Sequence, residues 1–403
     1  MRIDAERLVH GACTALALLL SMAIIAMIPA IRSAGTLDTD GWFLLASGRE
    51  VVESGIPRVN PFTAVEGQGI VLQQWLHDAW LYLCWKVAGY TGVAVSAAIP
   101  AALALCTYTG AVCRLARVPR YPWVPLLIGA LGFSLMASYL SIRPSIWTAA
   151  LLFVAISICL EWRQSANPRC LLALPIVSLL SVNLQAALWP LPAAVAACFL
   201  LPEKGEISTQ ATAETLRAWW RSRLPLLAAV AGMAAESLVN PYCIDGSLYV
   251  LRSLGAASYG GVILELNPVW VMPAAALFWG ASILVAFVSC CLARRFPPRW
   301  LLAFWAASAI AGALAVRCLW ITWTVSFLVV AVSVDQGDAI GPRVHRLLIA
   351  GRAVMILVLA FSIVNSGLNS LDSDTRGVET GWRGATGSLR RMAGRGRSCG
   401  IPT

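Results

Sequence analysis

Charge is scarce in this chain. Asp, Glu, Lys and Arg make up 12% of its 403 residues, about half the share typical of a water-soluble domain. That argues against a soluble globular fold. Histidine is scarcer still: three residues leave no material for a histidine-rich metal centre. The twelve cysteines have no metal-ligand spacing. Most lie inside apolar runs (Cys106, Cys159, Cys198, Cys290, Cys291), where a thiol packs as a small hydrophobe, so neither a disulfide framework nor a zinc site is indicated. A Gly-rich phosphate loop, an HExxH pair and a nucleophile elbow are all missing, and nothing points to ATP hydrolysis. The net charge of +10 comes mostly from arginines scattered at the ends of apolar runs. Such a pattern sets membrane orientation rather than binding nucleic acid.

What is present is hydrophobic: 59% of the residues, with a mean hydropathy of +0.74. Repeated apolar runs of roughly 20 residues predict a polytopic membrane protein, since in lipid only a helix or a closed barrel satisfies its own backbone. The runs are continuous rather than alternating, which selects helices. The expected fold is an all-α transmembrane bundle of about eleven spans. They are read at 12–31, 93–113, 122–140, 145–161, 170–183, 186–201, 224–239, 270–292, 300–316, 318–334 and 348–366. The first run is longer than the ~7–15 residues of a signal-peptide core and reads as an uncleaved span. The runs at 170–183 and 186–201 are short, either a hairpin that does not fully cross or two tightly packed spans.

With eleven spans, the arginine clusters at 114–120, 163–169, 217–223, 294–299 and 343–352 fall on the side of the N-terminus, which the positive-inside rule makes cytoplasmic. Residues 1–366 form one membrane domain. Its first extracytoplasmic loop covers 33–78, and a polar tail at 367–403, also extracytoplasmic, has too few apolar residues to form a core.

The first loop is long and crowded with acids, amides and tryptophans, which marks it as more than a connection. It reads as two amphipathic helices around a turn-rich middle. The first spans 41–53 with Asp40 as N-cap; Trp42, Ala46, Arg49 and Glu53 lie on one stripe, and Leu44, Leu45, Val51 and Val52 on the other. Ser54-Gly55-Ile56-Pro57 and Asn60-Pro61 break the helix. The second piece runs from near Gln74 toward Lys86, with Gln74, Asp78, Tyr82 and Trp85 roughly on one face. Gly89 and Gly92 punctuate the chain ahead of the next span.

This topology brings Asp38, Asp40, Gln74, Asp78, Arg143, Asn183, Gln185, Asn240, Tyr242, Glu265, Asn267 and Arg317 to the outer face. Convergence of polar side chains on one leaflet is the pattern of a site at the water–lipid boundary, although outer loops are also polar simply because they are wet. Asp38 and Asp40, two residues apart beside an apolar helix, suit a general base. Their plainer role is a helix cap and a solvated acid. Trp42 and Trp75 could stack on a sugar ring or serve as an interfacial belt. Arg143 and Arg317 suit a phosphate, or snorkel to the headgroups or pair with Glu265.

The order of these pieces resembles a group of bacterial multi-spanning proteins placed with the GT-C glycosyltransferases. The resemblance rests on Asp38-Thr39-Asp40-Gly41-Trp42-Phe43, Gly48-Arg49, Gly55-Ile56-Pro57, Pro61-Phe62-Thr63 and Gln74-Trp75-Leu76. It continues through Arg143-Pro144, Asn183-Leu184-Gln185, Asn240-Pro241-Tyr242, Glu265-Leu266-Asn267-Pro268 and Arg317. Gln74 stands where the group has an acid, Gln185 where it has a histidine and Leu266 where it has a tryptophan. Members often continue into a soluble domain, so on this likeness the chain, ending at Thr403, would be a shortened or incomplete member.

The resemblance implies a bacterial plasma-membrane enzyme. It would move a sugar from a polyprenyl-phosphate donor to a glycan, lipid or protein acceptor at the extracytoplasmic face. Asp40, assisted by Asp38, would be the catalytic base. Trp42, Arg49, Gln74, Trp75, Asp78, Arg143, Asn183, Gln185, Asn240, Tyr242, Glu265 and Arg317 would bind substrate. No cofactor is firmly implied; some relatives in the wider class use a divalent cation, for which Asp38, Asp40 and Glu265 are the available donors. Two other readings fit the residues: a flippase for a lipid-linked sugar, and a non-catalytic scaffold of envelope assembly. A flippase predicts midplane charge and an internal repeat. Glu236 is the only acid well inside an apolar run, and no repeat is visible.

Overall fold

The computed structural model describes residues 39–116, 128–129, 131–133, 142–206, 212–251, 264–292 and 296–333. The predicted spans at 12–31 and 348–366, most of that at 122–140, the tail, and Asp38 lie outside the described residues. Among the described residues every named element is helical. The nearest thing to a strand is one antiparallel bridge between Val59 and Gly69 in the first loop.

Helix α1 (Thr39–Glu53) is followed by the loop and then by α2 (Trp75–Leu115), whose 41 residues are two helices joined at a break. Ala88 leaves helical angles and Gly89 takes φ 57, ψ −135, a conformation that glycine alone adopts without strain. The predicted punctuation at Gly89 is therefore a bend that separates the 75–87 segment from the membrane-crossing length behind it. Helix α3 (Ser145–Ser165) starts after Arg143-Pro144, where proline presets the first-turn angle. It stops at Ala166 in the left-handed region, ahead of Asn167-Pro168. After a 3-10 turn come α4 (Ala173–Leu184) and α5 (Pro190–Cys198), the pair predicted to be short. Helix α6 (Ala213–Glu236) is capped by Thr212, whose side chain accepts from the Thr215 N–H. The described residues end with α7 (Pro273–Leu292), α8 (Arg299–Leu314) and α9 (Leu319–Ser333).

Among the described residues four helices are long and apolar enough to cross a membrane: Trp75–Leu115, Ser145–Ser165, Pro273–Cys291 and Val316–Ser333. Pro168–Leu184, Ala186–Cys198 and Arg299–Leu314 are apolar but shorter. The expected count of eleven is thus not reached among the described residues. Length is one reason: at 1.5 Å per residue a nine-residue helix falls well short of a core about 30 Å thick. A second is α6, which begins at 213 rather than near 224 and carries Arg217, Arg221 and Arg223 in its first half, and three further predicted spans lie wholly or mostly outside the described residues. Glu236 closes that helix rather than lying deep within a span.

Helix α2 packs along α1 and α3, α4 along α6, and α9 along α7 and α8. Small residues let the backbones approach, as helix association in lipid requires: Ala101, Ala104 and Ala111 of α2 and Ala149, Ala150 and Ala155 of α3 share one core cluster, all essentially unexposed. A Cβ on Gly312 would stand 2.3 Å from Thr322 Oγ1, so glycine sets the α8–α9 distance. Aromatic rings fill the centre, with Tyr108 4.8 Å from Phe153 and its hydroxyl donating to the Thr324 carbonyl at 2.9 Å.

Candidate functional site

The bundle has two chemically different ends. Helix α2 runs from Trp75 to Arg114, α3 from beside Arg143 to Arg163, and α8 from Arg299 to beside Arg317. One end thus collects Asp40, Arg143, Glu265 and Arg317; the other collects Arg114, Arg163 and Arg299.

Asp40 lies inside the first turn of α1, because the helix begins at Thr39 rather than after a cap at 40. The acid still faces the positive helix terminus. Leu44, Leu45, Ser47 and Gly48 form the buried face of α1, while Trp42, Phe43, Arg49 and Val52 are exposed. The expected apolar stripe therefore turns away before Val52. A Cβ on Gly48 would come 2.0 Å from the Asp78 carbonyl oxygen, so only glycine lets α1 lie this close on α2.

Four segments meet through charge. Arg143, at the start of α3, reaches Asp40 at 2.8 Å and Glu265 at 3.2 Å. Glu265, in the Leu264–Leu266 turn, also faces Arg317 at 3.8 Å, an ion pair too long for a hydrogen bond. Arg317 lies in the Val316–Cys318 turn between α8 and α9, and the Val316 N–H donates to the Asn267 carbonyl at 3.0 Å, stitching the two turns together. All four side chains are partly exposed. Pairs of this kind contribute only about 0–1 kcal/mol each. The row is better suited to meeting a charged ligand than to holding the fold.

The remaining predicted residues behave differently. Trp75 Nε1 donates to Asn183 Oδ1 at 2.9 Å, and Asn183 Nδ2 donates to the Leu179 and Val239 carbonyls. Gln185 is buried and accepts from the Thr148 hydroxyl. Asn240 organises its own turn: it accepts from the Tyr242 N–H and donates to the Ser237 and Cys243 carbonyls. The Tyr242 hydroxyl donates to the Pro57 carbonyl at 2.9 Å. Gln74 occupies the cap position of α2 without a capping hydrogen bond. Asp78 is fully buried under α1, with neither carboxyl oxygen partnered, and Ser47 Oγ and His77 Nδ1 share that condition. Asn183, Gln185, Asn240 and Tyr242 thus commit polar atoms to contacts within the protein, whereas Asp78 is buried without a partner.

Several participants carry no local signal. Gln73 accepts from the Ala186 N–H through its carbonyl at 2.9 Å and from the Ala187 N–H through its side chain at 3.2 Å. Arg58 donates to the Pro241 carbonyl and lies over the Tyr242 ring, 5.1 Å from its centroid. His77 Nε2 meets the Ile142 carbonyl at 2.8 Å, tying α2 to the residue before Arg143. The only hint in the sequence is that Arg58 is the sole Lys or Arg between Arg49 and Lys86.

Among the described residues no three of His, Cys, Asp and Glu gather as metal ligands. Asp40 and Glu265 each already face a guanidinium, which repels a dication, so as placed they do not fit the divalent-cation role considered from sequence. Compared with known protein families and with curated proteins, the chain matches none.

Proposed function

We propose that this protein is a membrane glycosyltransferase that transfers a sugar from a polyprenyl-phosphate donor to an acceptor at the extracytoplasmic face, in the eleven-span arrangement expected from sequence. The reading rests on the Asp40–Arg143–Glu265–Arg317 row, carried on four separate segments at the end away from Arg114, Arg163 and Arg299. It is supported by the order of motifs that resembles the GT-C group. A lipid phosphate entering the row would compete with the carboxylates for Arg143 and Arg317. As the phosphate takes the Arg143 guanidinium, Asp40 is released to accept a proton. The acceptor oxygen then bonds to the anomeric carbon, its proton passes to Asp40, and the bond to phosphate breaks with its electron pair leaving on the polyprenyl phosphate. The donor's chain never leaves the bilayer, which suits a catalyst that is almost wholly membrane-embedded.

The test is Asp40→Asn in the purified full-length protein, assayed with a panel of polyprenyl-phosphate sugars. Turnover is expected to fall by about 10²–10⁴-fold with donor binding retained, whereas Arg317→Ala weakens donor binding itself. Unchanged turnover in Asp40→Asn removes the base assignment. A second reading, a non-catalytic envelope scaffold, is favoured by the internal commitment of Asn183, Gln185, Asn240 and Tyr242. It prevails if the unmutated protein turns over no donor in the panel.

A further inference from the structure

The opposite end of the bundle holds a cavity of about 820 Å³ that the proposed chemistry does not use. Its wall carries Arg114, Arg163, Lys204 and Arg299 against a single carboxylate, Glu203. Apart from Gln164 the rest is apolar, chiefly Leu115, Leu160, Phe296, Trp300 and Val332. We propose that this cavity binds the headgroup of an anionic phospholipid, the phosphate against the cations and the first chain carbons along the apolar wall. The inference does not depend on the glycosyltransferase reading.

Three observations carry it. First, position: the ends of α2, α3 and α9 and the start of α8 surround the cavity, so it opens where membrane-crossing helices meet the headgroup layer. Second, charge left over: Arg114 pairs with Glu161, which is not part of the wall, and Glu203 serves Arg163 and the Arg299 backbone N–H. The Arg299 guanidinium donates to the Pro202 carbonyl, which carries no charge, and Lys204 has no partner among the described residues. Arg163 Nε is buried and unpartnered. Third, rigidity: Trp300 stacks on Phe199 at 4.0 Å and Arg163 lies 5.1 Å over the same ring, so the floor needs no reordering to receive a ligand. The volume lies within the usual range for a small-ligand site, ~300–1,000 Å³. Guanidinium and ammonium groups together match a phosphate diester bearing net negative charge.

The experiment uses the full chain in nanodiscs of phosphatidylglycerol or of phosphatidylcholine, with retained lipid counted by native mass spectrometry after transfer to detergent. Wild type is expected to keep phosphatidylglycerol preferentially, and the double variant Lys204→Gln/Arg299→Gln to lose about tenfold in that retention. Phe296→Asp, at an exposed residue of the wall, is expected to lose it too, which keeps the test decisive should the double variant fail to fold. Equal retention of both lipids, or undiminished retention in a folded variant, overturns the proposal. So does inorganic phosphate at millimolar concentration protecting the lipid-free protein as well as the lipid does, which would make the site one for a free anion.

Discussion

Arg143 stands between two carboxylates, and its position separates chemistry from stability. Because the pairs are partly exposed, Arg143→Ala is expected to change thermal stability in detergent by no more than about 1 kcal/mol, while sugar transfer, the activity proposed above, drops sharply; paired melting and transfer assays check this. Gly48 has the opposite profile. A side chain there meets the Asp78 carbonyl, and Gly48→Val should cost about 1–3 kcal/mol through overpacking, visible as a lower melting temperature. Much of this site is legible in the sequence, since Asp40, Arg143, Glu265 and Arg317 follow from topology alone and pairing with Glu265 is among the plainer alternatives. The work of Asn183 is not legible there: its partner Trp75 is 108 residues away, and no local pattern encodes a contact at that separation. Asp78 misleads because its face of α2 reads as facing outward, whereas α1 covers it.

At the scale of elements, α2 depends on one glycine. Gly89→Ala must hold φ 57, ψ −135 with a Cβ, a strain on the order of 1–3 kcal/mol, or else straighten the bend and carry the 75–87 segment away from Arg143. Cysteine pairs engineered across α1 and α3 should then lose their crosslink. Helix α6 is anchored differently. Burial works to raise the Glu206 carboxyl, but hydrogen bonds from Arg223, the Glu203 N–H and Trp219 outweigh it and hold the group below its ordinary value. A depressed carboxyl contributes stability above its unfolded value and loses it as pH falls through the folded one. Wild type should therefore exceed Arg223→Gln in melting temperature above the ordinary glutamate value of about 4.3, with the gap closing in more acidic buffer. Helix ends marked by Pro144, Asn167-Pro168 and Pro297-Pro298 are readable from sequence. The start of α6 is not, because a hydropathy reading passes over polar helical turns.

For the whole molecule, the two ends should face two compartments. Cys243, exposed on the turn beside Tyr242, is expected to react with an impermeant maleimide in intact cells when the other cysteines are serine. A Lys204→Cys chain lacking Cys243 should react only after permeabilisation, and the reverse pattern would invert the orientation. The clasp of Arg58 and Pro57 on the Pro241–Tyr242 corner joins positions more than 180 residues apart. During synthesis the early segment emerges long before its catch has been made, so the polypeptide must wait unlatched until the second half arrives. A ribosome product halted ahead of residue 240 would expose that segment to proteases. Closure of the latch thus marks the moment at which assembly has passed its midpoint.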